Sequence, residues 1–359
     1  MEIGIIGLPN SGKTTVLNAL TRGRAKITDY ASSRIEANHA VAKVPDARLD
    51  ALVAMFQPKK WIPAEVTYVD VAGLMRDPQS RGLGETFIAH IRPATALGLV
   101  LRGFHDGPET PPTPPQDLDD METELIITDL VTAEKRLERI EQDLKKGLKE
   151  LEEERGALAA CKDALDAGQP IRNIGLTEQQ KKLLRGYQLL TAKPLLVILN
   201  IGEEQIGEDA GAPIRERLMP SIEGHTAGLV VICGKLEMEL AQLEPDDAQV
   251  FMEEMGLEEL ALERVIRASY DLLGLVSFFT TVSDEVRAWT IPRGTTAQRA
   301  AGAVHSDMER GFIRAEIIAF DTLMECGSLA AAREKGLLRI EGKDYVMQDG
   351  DIANFRFKV

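Results

Sequence analysis

The sequence predicts an α/β protein with a phosphate-binding loop at its start, a helical hairpin inserted in the middle and a small α+β domain at its end. Three observations support this prediction. Met1 to Leu20 have the pattern of a strand, a glycine-containing loop and a helix. Leucines recur at coiled-coil spacing between Leu130 and Leu158. After Leu275 the chain consists of short strand-like segments with one helix.

The phosphate-binding loop is the strongest local motif. An apolar run precedes Gly7 to Thr14, which match the pattern G-x-x-x-x-G-K-[ST]. Gly7 and Gly12 permit backbone conformations that a Cβ atom would exclude, so successive N–H groups can turn toward an anion at the start of a helix. Lys13 is placed to reach the β- and γ-phosphates, and the Thr14 hydroxyl to coordinate Mg²⁺. The motif therefore predicts a nucleoside triphosphate with Mg²⁺.

The composition is that of an acidic globular protein. The 359 residues carry a formal net charge of −15, which argues against nucleic-acid binding through bulk electrostatics, and we expect no sequence-specific DNA partner. Two segments are locally basic: residues 22–60 hold eight basic and four acidic residues, and residues 286–316 hold five and three. A solvated surface explains such segments as well as a partner does.

The sequence also indicates a cellular compartment. No apolar run approaches the length of a membrane span, and the N-terminal segment already has the pattern of a core strand, so we expect no signal peptide, anchor or membrane partner. Cys161, Cys233 and Cys326 are odd in number and far apart. This usage is typical of buried thiols in a reducing cytoplasm.

A second motif follows a predicted strand over Glu65 to Val69. Asp70-Val71-Ala72-Gly73 has the form D-x-x-G, which P-loop NTPases place beside the metal. Asp70 would hold Mg²⁺ through water, and the Gly73 N–H would face the γ-phosphate. Leu74 stands where many Ras-type GTPases carry the glutamine that orients the attacking water. Because an apolar side chain cannot orient water, hydrolysis must use another group or be slow.

The middle of the chain predicts a projecting helical hairpin. A proline-rich connector over Gly107 to Pro115 precedes the leucine repeat, and Gly168-Gln169-Pro170 breaks it. Leu176 to Leu190 would then return as the second, antiparallel helix. Such an arm serves equally well as a passive spacer or as a docking arm.

The candidate base-recognition segment follows the apolar strand Leu195 to Leu199. GTP-specific P-loop proteins have N-K-x-D here, whose aspartate accepts two hydrogen bonds from guanine, but this chain has Asn200-Ile201-Gly202-Glu203. A glutamate is one methylene too long for that bidentate fit, and adenine has no N2 amine to bind it. The segment therefore favours adenine.

These blocks together resemble the YchF / Obg-like ATPase family, and the resemblance covers nearly the whole chain. The similar blocks are GLPNSGKTT, IEAN, VPDARLD, DVAGL, GLGETFIAHIRP, TELIITDLVTAEKRLER, NIGE, RAWTIPRGTTAQRAAGAVHSDMERGFIRAEII and EGKDYVMQDGD. The resemblance implies a Ras-like P-loop NTPase domain with a coiled-coil insertion and a C-terminal β-grasp domain of the TGS type. The expected boundaries are residues 1–118 and 192–274 for the nucleotide domain, 119–191 for the insertion and 275–359 for the TGS-like domain.

The same resemblance implies a function and its residues. It implies ATP preferred over GTP, dependence on Mg²⁺, slow hydrolysis and association with the ribosome, its RNA or its proteins, which we expect through the TGS-like domain and the helical arm. By position, the phosphates would be cradled by Asn10, Ser11, Gly12, Lys13, Thr14 and Thr15, with Gly73 at the γ-phosphate. Thr14 and Asp70 would serve the metal, and the base would be met by Asn200, Ile201 and Glu203.

The sequence departs from the family at positions that matter for hydrolysis. Arg34 stands where the family has a switch threonine, and arginine cannot ligate a metal. The family has a catalytic histidine a few residues after the end of a strand, but here the loop is shorter and His105 is out of register with it. His105 is the candidate replacement for that histidine, and Lys13 is the other candidate catalytic residue. Two alternatives to an ATP-driven switch therefore stay open. One is an Obg-like GTPase in which Glu203 still recognises guanine, and the other is a nucleotide-binding module with little or no hydrolysis.

Overall fold

The structure is a computed structural model, and it describes residues 2–20, 38–70, 83–105, 111–207, 211–222, 226–257, 259–282 and 284–358. The chain divides into two compact units. The first unit comprises residues 1–42 and 67–268, and the second unit comprises residues 43–66 and 269–359. Each unit has its own sheet and its own core.

The strands, in chain order, are β1 Glu2–Ile6, β2 Asn38–Lys43, β3 Lys60–Ile62, β4 Glu65–Asp70, β5 Ala96–Arg102, β6 Leu195–Asn200, β7 Ala227–Ile232, β8 Leu275–Val282, β9 Glu285–Pro292, β10 Phe312–Ala319, β11 Arg339–Glu341 and β12 Asp351–Phe357.

The α-helices are α1 Lys13–Leu20, α2 Ala47–Phe56, α3 Glu85–Ile91, α4 Pro114–Lys145, α5 Glu152–Asp166, α6 Glu178–Leu184, α7 Ala212–Ile222, α8 Gly234–Leu240, α9 Pro245–Glu254, α10 Ala261–Leu272, α11 Ala297–Val304, α12 Ser306–Arg310, α13 Phe320–Cys326 and α14 Leu329–Glu334. None of these helices combines the length and the apolar character that crossing a bilayer requires.

The sheet of the first unit has the strand order β2-β4-β1-β5-β6-β7. β1 lies between β4 and β5, and both pairings are parallel, as are β5 with β6 and β6 with β7. β5 and β6 are apolar along almost their whole length because a parallel sheet is covered on both faces. The carboxyl ends of β1, β4 and β6 therefore meet at one edge of the sheet, where open α/β sheets bind their ligands. This arrangement confirms the predicted α/β class and places Asp70 beside the first strand.

The helical insertion is a hairpin, but its turn lies elsewhere than predicted. The predicted continuous helix through Leu158 is wrong, because α4 ends at Lys145 and Gly147 adopts a φ of 99°. A short 3₁₀ turn then leads into α5, which packs back against α4. The second arm is therefore α5 and not the segment that begins at Leu176. Leu144 and Leu151, on either side of the turn, are half-buried against the hairpin core, whereas Leu148 in the turn is exposed.

The second unit is an α+β structure whose sheet has the order β11-β10-β12-β8-β9-β3. α11 belongs to its core, which includes Phe278, Ile317 and Phe355. β3 was not predicted, since three residues carry no pattern of their own and its pairing with β9 spans more than two hundred residues. α2 also belongs to this unit, and Asp46 caps its start, since the Asp46 side chain accepts a hydrogen bond from the Arg48 N–H.

Candidate nucleotide-binding site

The loop after β1 has the backbone that an anion-binding loop needs. Gly7 has a φ of 147° and Gly12 a φ of 91°, and Asn10 between them has a φ of 63°. A Cβ atom on Gly7 would lie 2.4 Å from the Val100 carbonyl oxygen, and one on Gly12 would lie 2.2 Å from Asn200 Nδ2. Asn10 tolerates the left-handed region better than most residues. The glycines are therefore required both by conformation and by close packing.

Lys13 is the first residue of α1, and its side chain closes over the loop. The ammonium donates to the carbonyl oxygens of Gly7 and Leu8, each at 2.9 Å. Burial lowers the pKa of Lys13, and the negative charge of Asp70 partly opposes that effect. A partly desolvated ammonium beside a helix N-terminus is a strong attractor for phosphate oxygens.

Asp70 ends β4 directly beside β1, paired in register with Ile5. The residue is only 1% exposed, and both carboxylate oxygens lack a hydrogen-bond partner among the described residues. Burial raises the pKa of Asp70, and Lys13 counteracts the shift. The buried Ser11 hydroxyl likewise has no described partner. Because an unpaired buried carboxylate is costly, its retention here points to a cationic ligand.

The oxygen atoms of this site suit Mg²⁺. The Asp70 carboxylate and a hydroxyl of the loop are hard oxygen ligands, and Mg²⁺ is commonly held by one or two protein groups together with substrate phosphates. The described residues contain no group of three or more histidine, cysteine or acidic side chains that would hold a metal alone. Thr14 is exposed at the start of α1 and Thr15 is half-buried. Gly73 lies outside the described residues.

Asn200 links the end of β6 to two other parts of the site. Its Nδ2 donates to the Ser11 carbonyl oxygen at 3.1 Å, and its Oδ1 accepts from the Gly234 N–H at 2.9 Å. Asn200 is only 4% exposed, and these two hydrogen bonds satisfy both ends of its amide within the protein. Asn200 was predicted to contact adenine, but this bridging role was not foreseen. No sequence signal indicates it, because the partners are brought together only by strand order.

The segment after Asn200 forms the outer rim of the site. Ile201 is buried, and its N–H donates to the Ile232 carbonyl oxygen at 2.8 Å. The Glu203 carboxylate accepts from Lys235 Nζ at 2.5 Å, in an exposed ion pair. The pairing connects the segment after Asn200 to the start of α8, and it engages the carboxylate that was expected to meet the base.

His105 lies at the far end of β5, beyond Gly103 and Phe104. Its side chain is exposed, and the Gly103 N–H donates to the Asn200 carbonyl oxygen at 2.7 Å, which holds this strand end beside the site. The next five residues are outside the described part of the chain, as are Arg34 and Leu74. The catalytic role of His105 therefore stays a prediction.

Comparison with known proteins finds relatives along the full length. Residues 2–137 match a family described as 50S ribosome-binding GTPase, and residues 275–358 match the YchF GTPase C-terminal family, described as a protein of unknown function. The ribosome-binding ATPase YchF of Bacillus subtilis (strain 168) is 41% identical, with 100% of both chains covered. The protein of the same name from Pasteurella multocida (strain Pm70) is 39% identical, with 100% of this chain and 99% of that one covered.

A solved structure agrees with these relatives. The Schizosaccharomyces pombe YchF GTPase superposes with a TM-score of 0.87 at 30% identity, and the alignment covers 99% of this chain and 97% of that one. The shared architecture extends over both units of the chain.

Proposed function

The chain belongs to the YchF family, and on that premise we propose that it is an ATP-binding P-loop switch that hydrolyses ATP slowly and associates with the ribosome. The observation that carries the proposal is that both carboxylate oxygens of buried Asp70, beside the Lys13 loop, have no hydrogen-bond partner in the part of the chain that the structure describes. Relatives named ribosome-binding ATPase support both parts of the proposal.

The phosphates would lie in the loop from Asn10 to Thr15. The glycine geometry allows the N–H groups there to face an anion, and Asn200 holds Ser11 by a hydrogen bond to its carbonyl oxygen. On binding, the Lys13 ammonium would exchange the carbonyls of Gly7 and Leu8 for phosphate oxygens. The exchange replaces neutral acceptors by charged ones, which form stronger hydrogen bonds.

Thr14 and Asp70 would hold Mg²⁺, and Gly73 would meet the γ-phosphate. When bound, the metal supplies charge neutralisation for the phosphate oxygens. The metal would add positive charge beside the Asp70 carboxylate, which accepts no hydrogen bond from the described residues. Lys13 would stabilise negative charge on the transferred phosphoryl group, and His105 is the candidate that positions water. Leu74 and Arg34 supply neither a water-orienting amide nor a metal ligand, so we expect slow turnover.

The base would lie against Asn200, Ile201 and Glu203. Because Lys235 already pairs with Glu203, guanine would have to displace an ion pair to reach the carboxylate. An exposed ion pair of this kind contributes little free energy, so it would disfavour guanine only weakly by itself. The preference for adenine therefore rests on this ion pair together with the length of the Glu203 side chain.

The proposed domain division is 1–118 with 192–274 for nucleotide binding, 119–191 for the helical arm and 275–359 for a TGS-like domain. We propose a cytoplasmic protein, consistent with three cysteines that form no disulfide. Its ribosome contacts would use the TGS-like domain and the helical arm.

Calorimetric titration with ATP and GTP, each with and without Mg²⁺, tests the nucleotide assignment. We expect ATP to bind at least about tenfold more tightly than GTP, a difference of about 1.4 kcal/mol, and Mg²⁺ to strengthen binding. A tenfold preference for GTP would support the GTPase alternative instead. In Glu203→Asp the shorter side chain should reduce the ratio of the affinity for ATP to the affinity for GTP.

Phosphate release by the wild-type chain, compared with Lys13→Ala, tests hydrolysis. We expect slow release that Lys13→Ala abolishes. Equal phosphate release from both proteins would contradict hydrolysis by this chain and would support the alternative of a nucleotide-binding module without turnover.

A further inference from the structure

Helix α9 packs against the first unit with one side only. Ala248 and Met252 contact the core of that unit, whereas Val250 is 56% exposed and Phe251 is 37% exposed. Because a helix has about 3.6 residues per turn, Val250 lies on the side of α9 opposite Ala248. Two neighbouring large apolar side chains are therefore left in contact with solvent.

Acidic side chains stand on either side of this apolar pair along the helix. Asp247, Val250, Phe251 and Glu254 occupy positions i, i+3, i+4 and i+7, which a helix brings onto one face. All four residues are exposed. Asp247 and Glu254 are about 10 Å apart along the helix axis, since each residue adds about 1.5 Å. We call these four residues the α9 face.

The charge around the α9 face has one sign. No lysine or arginine occurs between Lys235 and Arg264, a stretch that contains ten acidic residues. Among the described residues, the carboxylates of Asp247 and Glu254 take part in no ion pair. In the helical insertion, by contrast, several acidic side chains pair with a cation one turn away. The α9 face therefore presents negative charge that the described part of the chain does not neutralise.

This arrangement is unfavourable for α9 by itself. Glu253 and Glu254 stand in the last turn of the helix, where the helix dipole is negative, and that turn contains no basic residue. Val250 and Phe251 stay in contact with water, although burial of such side chains is favourable. A partner that covers the apolar pair and supplies positive charge would relieve both costs.

We propose that the α9 face binds a basic amphipathic helix of a partner protein. Val250 and Phe251 would receive the apolar side chains of that helix, and Asp247 and Glu254 would each pair with a lysine or arginine beside them. Two helices commonly associate in this way, with apolar residues along the seam and opposite charges on its flanks. The spacing of the two carboxylates fits cations that lie about one heptad apart on the partner helix.

The same charges disfavour other occupants. Nucleic acids and anionic lipid surfaces are negative, so this acidic stretch would repel them. A second copy of the chain that docked through the same face would bring carboxylates against carboxylates, and like charges at such positions are destabilising. The inference goes beyond the proposed function, because it assigns a protein partner to a surface of the first unit outside the helical arm and the TGS-like domain.

The test uses a synthetic leucine–lysine peptide of about 21 residues, long enough to form a helix, with leucines at helical spacing. The fluorescent peptide is titrated by anisotropy with the full wild-type chain and with Val250→Gln/Phe251→Gln. We expect the affinity of the variant to fall at least about fivefold, because the apolar contact is lost. The matched control is Ile127→Gln/Val131→Gln, which changes exposed apolar residues of α4 and should stay within about twofold of wild type.

A second pair of variants tests the charges. In Asp247→Asn/Glu254→Gln the affinity should fall at least about threefold at about 0.1 M salt, and the difference from wild type should shrink at about 0.5 M salt because exposed charges are screened. Asp119→Asn/Glu138→Gln makes the same charge change at exposed residues of α4 and is the control. Equal decreases in affinity in both double variants would overturn the proposal, because the effect would then be one of net charge.

A second peptide tests whether an amphipathic helix is required. It has the same composition, but its leucines and lysines form two separate blocks, and we expect it to bind at least about fivefold more weakly. Equal binding of the two peptides would overturn the proposal. The same holds if the wild-type chain shows no saturable binding of the first peptide up to about 0.3 mM protein.

Urea denaturation of each variant shows whether the fold is retained. Should Val250→Gln/Phe251→Gln unfold, the single variant Val250→Gln decides, since this side chain is 56% exposed and its replacement should have little effect on stability. We expect Val250→Gln to bind the first peptide at least about twofold more weakly than wild type. Wild-type affinity in a folded Val250→Gln protein would then overturn the role of the α9 face.

Discussion

Asn200 and Ser11 are joined by a hydrogen bond from Asn200 Nδ2 to the Ser11 carbonyl oxygen, although 189 positions separate them in the chain. The same amide accepts from Gly234, so one buried side chain ties the phosphate loop to two strand ends. The shape of the loop therefore depends on the carboxyl end of β6.

Asn200→Ala should weaken both the fold and nucleotide binding. Removal of the amide leaves the Gly234 N–H and the Ser11 carbonyl unpaired, which should lower the free energy of unfolding by about 1–3 kcal/mol. Urea denaturation and ATP titration measure the two effects. Asn173→Ala is the control, since Asn173 is exposed, and it should stay within about 0.5 kcal/mol of wild type. An Asn200→Ala protein that binds ATP as wild type does would contradict the coupling.

Gly12→Ala should abolish ATP binding. The added methyl would lie 2.2 Å from Asn200 Nδ2, at a φ of 91° that alanine rarely adopts. We expect strain of about 1–3 kcal/mol and a distorted loop. Calorimetry measures the affinity, and Gly175→Ala serves as control because a Cβ there meets nothing within 4 Å. Undiminished binding in Gly12→Ala would show that the loop geometry is not needed.

Asp129→Ala should loosen the base of the helical arm. The buried carboxylate accepts from Leu190 N at 2.9 Å, and from Thr191 N and Thr191 Oγ1 at 2.7 Å each. Its removal leaves three donors unpaired, which should cost about 2–4 kcal/mol. Limited proteolysis should then cut the segment around Leu190 faster. Asp119→Ala, an exposed change on the same helix, should not alter the cleavage rate. Unchanged proteolysis of Asp129→Ala would mean that packing alone holds the arm.

Cys161 should make stability fall at high pH. Burial raises the pKa of this thiol from 9.0 to about 11, with a smaller contribution from Asp129. The folded state therefore holds the proton more tightly than the unfolded chain, so the stabilisation is complete below about pH 9 and is lost as pH rises toward 11. Urea denaturation over this range should show a steeper decline in stability for wild type than for Cys161→Ala.

Thiol labelling checks the same prediction. Iodoacetamide at about pH 8 should modify half-exposed Cys326 before buried Cys161, as followed by mass spectrometry. Equal pH slopes for the two proteins, or rapid labelling of Cys161, would contradict burial as the cause.

Local patterns predicted the elements that carry strong periodicity or a motif. The phosphate loop and the strand before Asp70 depend on neighbouring residues, so they are visible along the chain. The predicted position of the hairpin turn was wrong because the leucine spacing continues past the turn. The helix ends at the positive φ of a single residue, Gly147, and the surrounding pattern otherwise favours a helix. β3 was missed because its strand character comes only from β9.

The sequence by itself determined the P-loop, the α/β class, the departure from the guanine-binding motif and the likeness to one family, because each is written in consecutive or regularly spaced residues. Only the tertiary structure decided that Asn200 braces the loop, that Asp70 is buried without a described partner and that Lys235 occupies Glu203. These relationships join residues far apart in the chain, and the order in which strands pair is set by packing of the whole core rather than by any local pattern.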